Sequence, residues 1–327
     1  MDNPSRWATI RVTAPAIASL VLISTFLPEL FSGSTPLLEF LAPGLFLFLL
    51  LGYGLAVLVV RELAVRCGAG LAGLLLFGFG YGIFNEGLLA KTLIIDEHLP
   101  LPTYDHYGVV MGISVPFAVT IAVWHAFASV AFPIVLTHHC FPKARHVAWL
   151  KTSIVTVLGI VLLFLGSAVF LGTSPKGITG TRPQLAVFLV TILACCAVAS
   201  RLKGTMPSVP STAAVKPLLA GFCVIVPFFA LAAIAGAKLS PAVFFACLAA
   251  IVGLYAWLLN RNGWLAPPPF AFFGLGWYLH NTLMALLTIA FLLHAAGRAL
   301  YTGLVAAAIL LLLFRQVRTS AIVTFHD

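Results

Sequence analysis

Three ionisable side chains lie at comparable depth well inside long apolar runs of this sequence: Glu86, His125 and His280. An ionised group at membrane depth costs on the order of a few kcal/mol or more unless it is paired or hydrated, so each marks a functional-site hypothesis. A carboxylate and an imidazole can bind a proton and pass it on. Asn85, Ser129 and Asn281 lie close to them in sequence and supply neutral hydrogen-bonding groups. The expected site therefore takes Glu86, His125 and His280 as its catalytic or proton-carrying groups. Asn85, Ser129 and Asn281 are its substrate-binding groups.

Spacing gives these residues faces. Gly78, Gly82 and Glu86 follow at i, i+4 and i+8, which keeps them near one side of a helix. Small residues at that interval let a second helix approach closely, so Glu86 is expected to face the bundle. His125, Ser129 and Pro133 repeat the same interval. Pro116 and Pro133 each lack an amide proton and are expected to kink their helix, freeing carbonyls that protein or water must satisfy. Trp277, His280, Met284 and Thr288 share a face of a later segment. Whether the three spans bring their ionisable groups together is a question of contact, which depth along a sequence cannot answer.

The elements that carry these residues follow from composition. Of 327 residues, 61% are hydrophobic and 8% charged, and mean hydropathy is +1.10. Soluble domains hold roughly 45–50% apolar and 25% charged residues. A span needs about 20 apolar residues, and the runs near 13–31, 37–60, 70–92, 109–135, 152–172, 184–200, 217–237, 241–259, 270–293 and 299–314 meet that length. They are too long for barrel strands. The expected fold is all-α: one integral membrane domain over 1–327, a polytopic bundle of about ten spans. The first run lacks a small-residue cleavage site and is read as a retained span.

The net charge of +9 is read as topology. With the N-terminus inside, thirteen Lys and Arg fall on the inner side and four on the outer. The positive-inside bias therefore predicts N-in and C-in, in a cell membrane. No basic run is long enough to track a phosphate backbone, so nucleic acid is not an expected partner. The expected partners are the bilayer and a small solute or membrane-embedded substrate.

Other polar residues are assigned blander places. Arg61, Glu62 and Arg66 read as a charged helix end at the inner surface. His138-His139 reads as an interfacial pair, and Lys91 as a snorkelling cation at the outer surface. An outer loop carries Asp96, Glu97, His98, Asp105 and His106 at no known metal spacing and reads as solvated. The six cysteines form no disulfide framework, and neither a metal nor a cofactor is expected. A five-plus-five inverted repeat is suggested only by the Trp and His that the fourth and ninth runs both carry.

At YGIFNEGLL (Tyr81–Leu89) and HAFASVAFPIVL (His125–Leu136) the chain resembles an uncharacterised family of prokaryotic multipass proteins. That family has a YGLxEEGL-like segment followed by a helix with His, Ser and Pro. The likeness covers about residues 60–140 and implies no activity. More distantly the acidic segment is similar to the EExxxR motif of the CAAX-protease and bacteriocin-processing intramembrane proteases, in which Glu activates water with help from His. Asn85 stands in place of the first acid and Ala90 in place of the Arg. The distant likeness therefore carries over Glu86 and His125 alone.

The leading functional expectation is a secondary transporter or permease with an intramembrane Glu/His site. The alternatives are an intramembrane hydrolase using Glu86 as general base with His125 or His280 assisting, and a non-catalytic assembly or lipid-handling protein.

Overall fold

In lipid every backbone amide needs a partner within the protein, so long apolar runs resolve as helices. The computed structural model describes residues 6–32, 35, 37–95, 104, 106–173, 177–204, 215–287 and 296–323. Eight helices among them are long and apolar enough to cross a membrane. They lie within α1 (Arg6–Ser32), α2 (Pro43–Cys67), α3 (Leu71–Leu89), α4 (Val115–Cys140), α5 (Thr152–Leu171), α6 (Arg182–Ala199), α7 (Val215–Gly236) and α8 (Pro241–Arg261). Two further helices, α9 (Pro267–Leu287) and α10 (Ala296–Val323), occupy the last two apolar runs. The architecture is an all-α polytopic bundle.

The bundle has a centre and a periphery. In the most apolar stretch of each helix, 78% of the residues of α4 and 67% of those of α3 are buried, against 22% for α5 and α6 and 17% for α8. The site helices are thus enclosed by protein, while α5, α6 and α8 turn apolar faces outward through residues such as Phe164, Val190 and Trp257. On a membrane protein those faces meet lipid. Around α4 pack α1, α3, α9 and α10.

Three of the central helices are wound unevenly. A π-helical segment interrupts α2 at Leu50–Leu55, ends α3 at Ile83–Leu89 and interrupts α4 at Ala126–Ala131. Each adds a residue to a turn and re-aims the side chains beyond it, a feature frequent at functional sites. Pro116 falls in the first turn of α4, where a missing amide proton costs nothing. The expected kink at Pro116 is therefore absent. Pro133 instead opens the α-helical stretch that follows the π segment.

Both ends of the bundle are tied by buried polar groups, and these correct three expectations. Arg61 and Glu62 are fully enclosed, not surface charges. Arg61 Nη1 meets Glu62 Oε1 at 2.5 Å, and Nη2 donates to the carbonyl oxygens of Ala144 and Arg145. Glu62 also accepts from Arg66 and from the backbone N–H groups of Trp149 and Leu150. His138 and His139 are buried as well: His138 Nε2 accepts from Arg61 Nε, and His139 bonds the Val317 carbonyl. At the opposite end Lys91 does not snorkel. It is 1% exposed, and its ammonium donates to the carbonyl oxygens of Gly172 and Ile178, holding the end of α3 to the segment after α5. A hairpin of β1 (Val109–Val110) and β2 (Ile113–Ser114), paired Val109 to Ser114, closes the same end. Gln184, in the capping box of α6, donates to the Met111 carbonyl of its turn. Of the outer-loop residues, Asp96, Glu97, His98 and Asp105 lie outside the described residues, and His106 is exposed.

Candidate functional site

The glycine interval sets the distance between α3 and α4. A Cβ on Gly78 would stand 2.7 Å from Ala126 Cα, and one on Gly82 would stand 2.7 Å from Ala122 Cα. Real side chains do not approach that closely, so the two backbones touch because both positions are glycine. One turn beyond Gly82, Glu86 is carried directly against α4.

There Glu86 Oε1 meets His125 Nε2 at 2.8 Å. The other imidazole nitrogen, Nδ1, meets Ser129 Oγ at 2.7 Å. Glu86 Oε2 accepts from Thr92 Oγ1. Three side chains from two helices, with Thr92 from the turn after α3, thus form one continuous line: Thr92, Glu86, His125, Ser129. Exposure falls along it. The Glu86 side chain is 13% exposed, His125 1% and Ser129 0%. One end opens narrowly and the other is sealed.

The line accommodates more than one proton count. With a carboxylate and a neutral imidazole, Nε2–H donates to Glu86 and Nδ1 accepts from the Ser129 hydroxyl. With an imidazolium, both ring nitrogens donate, and the Ser129 hydroxyl turns to accept. The change needs one hydroxyl rotation and no movement of either helix.

Aromatic rings enclose the imidazole. Trp124, Tyr81 and Tyr53 place their centroids 4.9, 5.8 and 6.0 Å from that of His125. Tyr81 Oη donates to the Gly52 carbonyl at 3.2 Å, inside the π segment of α2. Asn85 is 4% exposed and lies beside Tyr53. The three π segments therefore supply Tyr53, the Asn85-Glu86 pair and Ser129 to one place, with His125 bordering the third.

His280 and Asn281 belong elsewhere. They line a separate cavity of about 80 Å³ with Trp124, Gly221, Phe228 and Trp277. His280 packs edge-on to Phe222 at 5.0 Å, and its enclosed ring nitrogens meet no side-chain partner. Asn281 donates to the Trp277 carbonyl within its own helix. Of the six expected site residues, then, Glu86, His125 and Ser129 form one hydrogen-bonded unit with Asn85 beside it. His280 and Asn281 do not join it. Among the described residues no group of three or more His, Cys, Asp or Glu side chains gathers to hold a metal.

Thr92, Tyr53 and Tyr81 escaped the sequence reading. Thr92 is the last residue of the 70–92 run, and reaches Glu86 because the chain leaves the helix after Leu89. Composition does not set the two tyrosines apart within their apolar spans.

Residues 19–177 match the model of an uncharacterized membrane protein family. The match contains all of the Thr92–Glu86–His125–Ser129 line, and it bears out the resemblance seen at Tyr81–Leu89 and His125–Leu136. No curated protein and no solved structure matches the chain. The chain is a multipass membrane protein, and the family that it matches carries no assigned activity.

Proposed function

We propose that this chain is a secondary carrier of the cytoplasmic membrane that moves a small solute and uses the Glu86–His125 pair as its proton site. The observation that carries the reading is the graded line from Thr92 to Ser129. Glu86 stands where exposure remains and takes up or releases the proton. His125 receives it, and Ser129 completes the ring's hydrogen bonds in either state. A buried acid paired with an imidazole and tunable by a neighbouring hydroxyl suits reversible proton binding. The proton-bearing spans lie at the centre of the bundle, where carriers hold their coupling sites.

A second reading has one observation in its favour. The order Ser129–His125–Glu86 is also that of an acyl-transfer relay, and an intramembrane hydrolase remains the competing mechanism. Ser129 weighs against it, because a nucleophile must reach a carbonyl and this hydroxyl is fully enclosed.

The test is reconstitution of the full chain in liposomes containing a pH-sensitive dye, screened with pools of cationic, anionic and neutral solutes. A solute that drives a pH change in wild type and not in Glu86→Gln supports the carrier. Solute-driven proton movement that survives in Glu86→Gln overturns the assignment of Glu86. No proton movement with any pool, together with labelling of Ser129 by a fluorophosphonate, replaces the carrier with the hydrolase.

A further inference from the structure

The Lys/Arg-rich end of the bundle contains a cavity that the Glu86–His125 site does not use. It holds about 240 Å³ and lies between the end of α2, the turn into α3, the end of α4 and the segment after it. Arg61, His138, Arg145 and His146 all line it, along with backbone at Gly70 and Gly204. Among the described residues no acidic side chain lines it.

Four positively charged or protonatable groups around one space need an explanation, because the usual one is unavailable. Among the described residues, the carboxylate at this end is Glu62. It is fully occupied by Arg61, Arg66 and the N–H groups of Trp149 and Leu150. Arg145 therefore has no acid to face. Its guanidinium is half-buried and makes no hydrogen bond or ion pair with a described residue. Burial lowers its pKa, and His146, an exposed residue, is held below the ordinary imidazole value by its partial covering and then by the charges of Arg145 and Arg61. Arg61 also fixes the state of His138. By donating from Nε to His138 Nε2 at 3.2 Å, it leaves the imidazole proton on Nδ1, so His138 offers a donor.

We propose that this cavity binds a phosphate-type oxyanion, with Arg145 as its principal ligand and His138 and His146 as flanking donors. A guanidinium presents two parallel N–H groups that match two phosphate oxygens, and it holds its charge when half-buried. The cavity opens at the end marked as cytoplasmic by its cations, the level at which basic pockets between helices take anionic headgroups. The phosphate belongs either to an anionic phospholipid or to a free phosphorylated solute. The proposal does not depend on the proton site.

Thermal unfolding of the full chain in nanodiscs distinguishes the sources. In phosphatidylcholine alone, a midpoint that rises with added inorganic phosphate identifies a free anion. A rise that needs phosphatidylglycerol in the disc identifies the headgroup. In either case Arg145→Ala weakens binding by about tenfold or more, and His146→Ala, at an exposed position, weakens it several-fold without threatening the fold. Arg201→Ala removes an exposed cation at the same end outside the cavity and leaves the effect intact. The proposal is overturned if neither ligand moves the wild-type midpoint, or if Arg201→Ala reduces the shift as much as the cavity variants do.

Discussion

Tyr278 of α9 donates a hydrogen bond of 2.7 Å to the carbonyl oxygen of Ala128 in α4. The hydroxyl replaces an amide that the chain cannot supply. Phe132 N–H reaches the Phe127 carbonyl, five residues back. In that register residue 133 would satisfy Ala128, and residue 133 is proline. The carbonyl freed by Pro133 is thus met from a neighbouring helix, one residue from Ser129. Tyr278→Phe should cost about 1–3 kcal/mol, the penalty of a buried unsatisfied acceptor. Adding Pro133→Ala, which restores an N–H, should recover part of the loss. A double-mutant cycle by thermal unfolding in detergent measures the coupling, and strict additivity would count against it.

Glu86→Gln keeps the shape of the site and removes its titration. Proton movement in liposomes should fall by about a hundredfold or more, the scale of a lost acid–base group. Folding should be preserved, as read by the unfolding midpoint.

Ser129→Ala removes the partner of His125 Nδ1 in an enclosed position. The expected loss is about 1–3 kcal/mol of stability with proton movement reduced but present. Wild-type protein should resist fluorophosphonate labelling, because Ser129 is buried; rapid labelling at Ser129 would sink the carrier reading.

Gly82→Ala should separate α3 from α4, since the added methyl meets Ala122 Cα at 2.7 Å. Overpacking of this kind costs about 1–3 kcal/mol, and it should also disrupt proton movement by lengthening the Glu86–His125 contact. Gly44 has open space around it, and Gly44→Ala should be neutral or slightly stabilising. Equal effects at the two glycines would refute the close-approach argument.

Glu62→Gln strips the counter-charge from Arg61 and weakens the acceptor for two backbone amides. Breaking a buried pair on one side costs about 3–5 kcal/mol. The loss should appear in the unfolding midpoint of every lipid tested. Glu62→Gln together with Arg61→Met should recover part of it.

Much of the candidate site was legible in the sequence because lipid makes polar residues conspicuous. Glu86 and His125 stood out as isolated ionisable groups, and the four-residue interval through Gly78 and Gly82 gave Glu86 its direction. His280 stood out by the same rule and did not join them, because depth along a helix fixes height and leaves azimuth free. Lys91, Arg61 and His138 were misplaced for a related reason. Charges near helix ends ordinarily reach water, and only the folded chain reveals the carbonyls and carboxylate that hold these inside. The π segments left no readable mark, since an extra residue in a turn alters neither composition nor apolar length.

Those π segments carry a consequence for deletion experiments. Most membrane helices suffer when one residue is removed, because every side chain beyond the cut rotates by about 100°. A π turn already holds one residue more than ordinary winding needs. Deleting Ala128 would let α4 close into a regular ladder while carrying Ser129 out of line with His125. The sequence therefore contains a place where shortening the chain by one residue separates a helix that is well formed from a site that works.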